Sequence, residues 1–133
     1  MRQGIKSALL ILALLALGAC STSQALLNPS IGLPPERELT PAELHEAILT
    51  VLQRRGWQVR RNEPGVIYAA ISLRQRHHAS IAVEYSPFDV QIRYRSSQGL
   101  NYRDGKIHRN YNRWVNNLRA DIQQQLNLPK NPE

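Results

Sequence analysis

The chain contains a single cysteine, Cys20, among 133 residues. With no second thiol it can form neither an intrachain disulfide nor a cysteine-based zinc site, so a packed core must hold it together. The short motifs that announce catalysis are missing too: there is no Gly-x-Ser-x-Gly elbow, His-Glu-x-x-His helix, phosphate loop or dinucleotide fingerprint. Acidic residues are few, 10 against 17 Lys plus Arg, for a formal net charge of +7. No apolar run approaches the about 20 residues needed to span a bilayer; the stretch 8–17 is half that. No internal repeat is visible, which removes solenoids and arrays.

What is present begins at the N-terminus. Arg2 and Lys6 supply a positive start, residues 8–17 an uninterrupted apolar stretch, and Leu17-Gly18-Ala19-Cys20 ends it. This arrangement resembles the signal of a bacterial lipoprotein with its lipobox. The resemblance implies a signal peptide over 1–19, cleavage before Cys20, and a diacylglycerol group on its sulfur with further acyl chains such as palmitate. Buried acyl CH₂ groups contribute about 0.8 kcal/mol each, so two or three chains make attachment effectively permanent. Ser21 follows the cysteine where an aspartate would be read as a retention signal. By resemblance to that sorting pattern, the expected location is the outer membrane, with the folded part in the periplasm.

From Ser21 to Glu38 the chain is rich in Ser, Pro and Gly, with Asn28-Pro29 and Pro34-Pro35 opposing regular structure. The expectation is a lipidated, flexible tether over 20–38, although Leu26, Leu27, Ile31 and Leu33 argue that part of it lies on the domain. One domain is expected over 39–128 and a tail over 129–133; this leaves enough chain for a core without staples.

The domain opens with a complete helix signal: Thr40 as N-cap, Pro41 in the first turn, Glu43 to close a capping box, and Leu39 and Leu44 as a staple. Leu44, Ala47, Ile48, Val51 and Leu52 share one face, and Gly56 supplies the stop. Alternating segments then predict strands at 57–61, 66–74, 79–85 and 88–95, with Phe88 among the inward residues. Short connections predict an antiparallel meander. Asp104-Gly105 reads as a tight turn that would close a short extra hairpin. From Asn110 a helical stripe of Tyr111, Trp114, Val115, Leu118, Ile122 and Leu126 returns, and Pro129 ends it. The expected fold class is α+β, a two-layer sandwich of order α-β-β-β-β-α with both helices on one face of a four-stranded sheet.

The other sheet face is then polar, with small residues near its middle: Tyr68, Ala70, Ser72 and Arg74; Ser80, Ala82 and Glu84; Asp89, Gln91, Arg93 and Arg95. A shallow trough there would suit a peptide, a glycan or another subunit; equally, it is a solvated face with cross-strand ion pairs. Loss of Arg2 and Lys6 with the leader takes the 17 basic residues to 15 against 10 acidic ones. Arginine-rich strands with interleaved tyrosine would suit nucleic acid in a cytoplasmic protein. Export excludes that partner and leaves the anions of the envelope: lipid headgroups, lipopolysaccharide phosphates, peptidoglycan carboxylates and acidic proteins.

The densest polar and aromatic cluster is 101–114. His108 and Asn110 fall at a loop-to-helix junction whose free N–H groups favour an anion, with Tyr102, Arg109 and Arg113 nearby. A structural alternative has Asn110 capping the helix, Tyr111 and Trp114 packing on the sheet, and His108 fastening the loop. Gly56-Trp57, the strand series and the Ile-His-x-Asn-Tyr-Asn-x-Trp run at 107–114 resemble a group of small proteobacterial lipoproteins with no assigned activity. That resemblance implies the fold boundaries and the envelope location and brings no mechanism. His77-His78 invites a metal reading, but adjacent strand residues point to opposite faces, and no metal or cofactor is expected. Glu84 and Asp89 flank a turn, so paired carboxylates acting on a glycan stay open.

Two function classes follow. The first is a non-catalytic, lipid-anchored envelope module that binds an envelope component or assists assembly, with Arg74, Arg93, Arg95, Tyr102, His108, Arg109, Asn110 and Arg113 as binding residues. The second is a small hydrolase or transferase acting on envelope glycan or lipid with His108 as general base.

Overall fold

A computed structural model of the protein describes residues 21–130; the signal segment 1–19 and Cys20 lie outside the described residues. In chain order the elements are β1 (Ser23–Ala25), β2 (Ser30–Gly32), a 3-10 turn (Pro35–Arg37), α1 (Pro41–Arg54), β3 (Gln58–Glu63), β4 (Val66–Leu73), β5 (His77–Tyr85), β6 (Asp89–Gln98), β7 (Lys106–His108) and α2 (Arg109–Gln125). The fold is α+β, with two helices and two antiparallel sheets. One sheet has five strands in the order β2-β6-β5-β4-β3, and the other pairs β1 with β7.

Local chemistry accounts for the elements that a short window can specify. The Thr40 hydroxyl accepts the Glu43 N–H at 3.2 Å while the Glu43 carboxylate accepts the Thr40 N–H at 2.8 Å. This reciprocal box satisfies donors that α1 would otherwise leave open. Those bonds from Thr40 also hold the Glu43 carboxyl below its ordinary range. At the other end Gly56 has φ +82° and the Trp57 N–H donates to the Leu52 carbonyl at 2.9 Å, so the chain leaves the helix through a left-handed residue without strain.

The buried faces of α1 (Leu44, Ala47, Ile48, Val51, Leu52) and α2 (Tyr111, Val115, Leu118, Ile122) meet Ile67, Ala69, Ile71, Ala79, Ile81, Val83, Val90 and Ile92 of the sheet in one core. Each of these strand residues sits at the alternate position that the pleat turns inward. Phe88 does not join them: it is 78 % exposed. It rides on a tight turn in which the Ser86 hydroxyl accepts the N–H groups of Phe88 and Asp89, and the strand begins one residue later.

The stretch expected to be a tether behaves differently over its described part. β2 pairs with β6 in the register Ser30↔Gln91, Ile31↔Val90, Gly32↔Asp89. Next to it the Asn28 side chain accepts the Tyr94 N–H at 2.9 Å and the Pro29 carbonyl accepts the Ile92 N–H at 2.9 Å. Without this segment β6 would present an unpaired edge. Ile31 and Leu33 are buried in the main core, which explains why a Pro-rich stretch keeps large aliphatic residues. The sheet therefore has five strands where four were expected.

Two bulges interrupt the ladder. Val59 pairs with Ala69 and Arg61 with Tyr68, so Arg60 is the extra residue of β3. Ser80 pairs with Ser96 and Ile81 with Tyr94, so Arg95 is the extra residue of β6. A bulge changes which face later side chains occupy: the one in β3 brings Arg61 to the open side, where alternation had already placed Arg95.

Candidate functional site

On the face of the sheet away from the core, register aligns Arg61, Tyr68, Ala82 and Arg93 in one row across β3, β4, β5 and β6. The adjacent row is small: Ala70, Ser80 and Ser96. Nothing bulky therefore stands between β4 and β6. Arg95 extends over that low floor to place its guanidinium 4.6 Å from the centre of the Tyr68 ring, and Arg61 places its own at 4.4 Å from the same ring. A cation over an aromatic face is stabilised by the ring quadrupole, by about 0.5–1 kcal/mol at an exposed site. Two shallow depressions flank the stack. One is lined by Arg60, Tyr68, Ser80, Arg95 and Ser96, the other by Tyr68, Glu84, Asp89 and Gln91.

Charge on this face is unevenly compensated. Arg61 pairs with Glu63 at 3.0 Å, and Arg93 pairs with Glu84 at 2.8 Å. Arg60 and Arg95 form no ion pair among the described residues. Glu84 and Asp89, considered above as a carboxylate pair, are engaged separately: Glu84 accepts from Arg93, and Asp89 accepts from Ser86 at 3.2 Å and from Gln91 at 2.7 Å. Arg74 is not on the face at all, since it lies in the turn after β4 with φ +53°. The sheet face thus keeps Tyr68, Arg93 and Arg95 where alternation placed them and adds Arg60 and Arg61.

The loop-to-helix junction is organised around the N-terminal segment. The His108 ring nitrogen Nδ1 accepts the Asn110 N–H at 3.1 Å, so His108, not Asn110, caps α2. The Arg109 N–H donates to the Thr22 carbonyl at 2.8 Å. Two of the first-turn amides that would face an anion are therefore already bonded. β1 runs antiparallel to β7 with Ser23 opposite His108 and Ala25 opposite Lys106. Asn112, which the helical stripe placed off the core, is 3 % exposed. Its side-chain oxygen accepts the Leu27 N–H at 3.1 Å, and its amide donates to the Ala25 carbonyl at 2.9 Å and the Gln24 side chain at 3.2 Å. A buried amide with three partners 85 or more residues away is a fastener.

Tyr111 is fully buried and packs edge-on against Tyr94, ring centres 5.5 Å apart, while Tyr102 lies over Tyr94 at 4.6 Å. The Tyr111 hydroxyl has no hydrogen-bond partner among the described residues. Burial, and secondarily the neighbouring Tyr94, push its ionisation well above the ordinary phenol range. Arg109 and Arg113 are exposed, and Trp114 is half-buried against the core.

The histidines are separately occupied. His77 donates through Nδ1 to the Gly99 carbonyl at 2.9 Å, and His78 bonds the Ser72 hydroxyl across the strand pair at 2.6 Å. Both belong to β5, which begins two residues before the strand expected at 79–85. Among the described residues no group of three His, Cys, Asp or Glu converges to hold a metal ion, and no helix is long and apolar enough to cross a membrane.

No protein-family model matches the chain, and no curated protein matches it either.

Proposed function

We propose that the chain is a lipid-anchored lipoprotein of the bacterial cell envelope, held by Cys20, whose domain is a non-catalytic binding or assembly module in the periplasm. On the sorting pattern at Ser21 the membrane is the outer one. The binding surface in this reading is the open sheet face, with Tyr68, Arg60, Arg93 and Arg95 as contacts. Its ligand class is an anionic envelope component: lipopolysaccharide phosphates, lipid headgroups, peptidoglycan carboxylates or an acidic envelope protein.

The observation that carries the reading is the Arg61–Tyr68–Arg95 stack above a floor of Ala and Ser. Stacking on Tyr68 holds the Arg95 guanidinium in place, and with no carboxylate partner its donors stay available for a phosphate or carboxylate fork. A non-catalytic role is supported by the use of His108 as a helix cap and by the separate engagement of Glu84 and Asp89. We also read the architecture as a two-layer sandwich in which β3 to β6 form a meander. The antiparallel order of the strands and the single core shared by both helices support this.

Co-sedimentation of the full chain in detergent with purified sacculi, and its binding to lipopolysaccharide, test the assignment. Arg95→Ala is expected to weaken binding at least about tenfold, as loss of one charge-assisted contact implies, and Tyr68→Ala about two- to fivefold, as loss of the cation–π support implies. Arg113→Ala should leave it unchanged. Equal losses from all three would refute the sheet face as the site.

A further inference from the structure

The described chain begins one residue after Cys20, and its first residues are fastened to the body of the domain. Ser21 alone separates Cys20 from Thr22, whose carbonyl is held by the Arg109 amide. At 3.8 Å between successive Cα atoms, two steps of chain put the anchor point of the lipoprotein reading at most about 8 Å from the Thr22 Cα. A lipid on Cys20 therefore has no long tether. Whatever membrane it enters is brought up against the end of the domain that holds β1, β7 and the start of α2.

That end has the composition of a membrane-contact surface. Arg103, Lys106, Arg109 and Arg113 are all exposed there, and Asp104 is the one acidic residue between Leu100 and Ala120. The segment 21–33 that frames it carries no charge. Among the described residues four large hydrophobic residues have exposed side chains, and two are at this end, Leu27 at 38 % and Tyr102 at 47 %. Of the others, Leu73 ends β4 and Phe88 lies in the turn before β6. Leu27 is placed by the Asn112 side chain and its neighbour Leu26 by the Gly105 carbonyl, which sets both beside the 103–106 hairpin. An aliphatic and a tyrosine side chain ringed by cations is the arrangement that lies well at the headgroup level of an anionic bilayer.

We propose that this end of the domain, centred on Leu27, Tyr102, Arg103, Lys106 and Arg109, docks on the anionic phospholipid headgroups of the membrane that carries the anchor. The proposal rests on the lipoprotein reading of Cys20. Docking fixes the orientation of the domain: α2 points away from the bilayer, and the arginine-bearing sheet face stands beside it, open to the periplasm.

The test uses the full chain purified from membranes and reconstituted into vesicles, with mass spectrometry of the N-terminal peptide read in parallel. Lipidation occupies Cys20, so a cysteine introduced by Ala25→Cys or by Gln124→Cys carries a single spin label. Ala25 is exposed in β1, and Gln124 is exposed on α2 about 18 Å farther along the helix than Asn112, which binds Ala25. In phosphatidylethanolamine–phosphatidylglycerol vesicles containing a nickel-chelating lipid, the label at 25 should relax at least about fivefold faster than the label at 124, because the effect falls with the sixth power of distance. Replacing the mixture by phosphatidylcholine, or introducing Arg103→Glu, Lys106→Glu and Arg109→Glu together, should reduce that ratio at least about threefold by removing the attraction from one side or the other. Equal relaxation at both positions, with the lipid mass present on Cys20, overturns the docking surface and leaves the anchor standing. A ratio unmoved by both lipid composition and charge reversal also overturns it. Absence of the lipid mass, with the chain failing to float with vesicles, overturns the anchor itself.

Discussion

Replacing Asn112 with alanine should loosen the N-terminal segment while sparing the sheet. The side chain is 3 % exposed and makes three hydrogen bonds, all to residues 24–27. Each bond is worth about 0.5–1.5 kcal/mol net, and leaving the Leu27 N–H and Ala25 carbonyl without partners adds a desolvation cost unless water reaches them. Water does reach a segment whose β1 residues are all exposed, so the lower part of the range applies. A loss of about 2–3 kcal/mol in the local docking equilibrium corresponds to roughly 30- to 150-fold less protection from hydrogen exchange. The informative amides are Leu26 and Arg109, because neither bonds to Asn112 directly: Leu26 donates to the Gly105 carbonyl and Arg109 to the Thr22 carbonyl. Both should speed up together with Leu27, while Ile81 and Val83 in β5 stay protected. If Leu27 alone accelerates, Asn112 is not what holds β1 to β7, and the short-tether reasoning loses its foundation.

Other substitutions separate the remaining parts of the account. Ile31→Ala removes a side chain 1 % exposed and should cost about 2–5 kcal/mol of global stability in urea titration, whereas a solvated tether residue would cost almost nothing. Gly99→Ala should be at least as damaging, since its φ is +75° and an added Cβ would lie 1.9 Å from the Arg76 carbonyl oxygen; a folded, wild-type-like melt would contradict the close approach. Tyr111 ionises above its ordinary value of about 10 in the folded state, so its contribution is complete below that pH and lost as pH rises towards the folded value. Thermal melts should therefore fall above about pH 10, and Tyr111→Phe, which also removes the unpartnered hydroxyl, should flatten that fall; an unchanged alkaline limb would exclude Tyr111 as its source.

The parts of this fold visible in sequence are those whose cause is local. Thr40, Pro41 and Glu43 declare the start of α1 because the capping box is closed within four residues, and Asp104-Gly105 declares a turn because both residues accept positive φ, at +52° and +73°. Alternation likewise places Ile67, Ile81 and Val90 on the core side. What stayed hidden depends on distant partners. Ser30–Gly32 has the composition of a loop and becomes a strand only because β6 offers an unpaired edge. Asn112 looks like a solvent residue on its helix and is buried only because the chain before Asn28 folds over it. The bulge at Arg60 leaves no mark in the alternation, yet it turns Arg61 towards Tyr68; Arg95 was legible on that face from alternation alone. His108 and Asn110 were both readable as helix-start residues, but which one caps is decided by backbone geometry, and the Thr22 carbonyl that occupies the next amide comes from the other end of the chain.

Both the binding reading and the oriented docking require acyl chains on the sulfur of residue 20. The intact mass of the chain extracted from membranes by detergent reports this directly. The account predicts a polypeptide that has lost residues 1–19 and carries a diacylglyceryl group, with further acylation, on Cys20. A full-length chain with an unmodified Cys20, recovered from the soluble fraction, would contradict it.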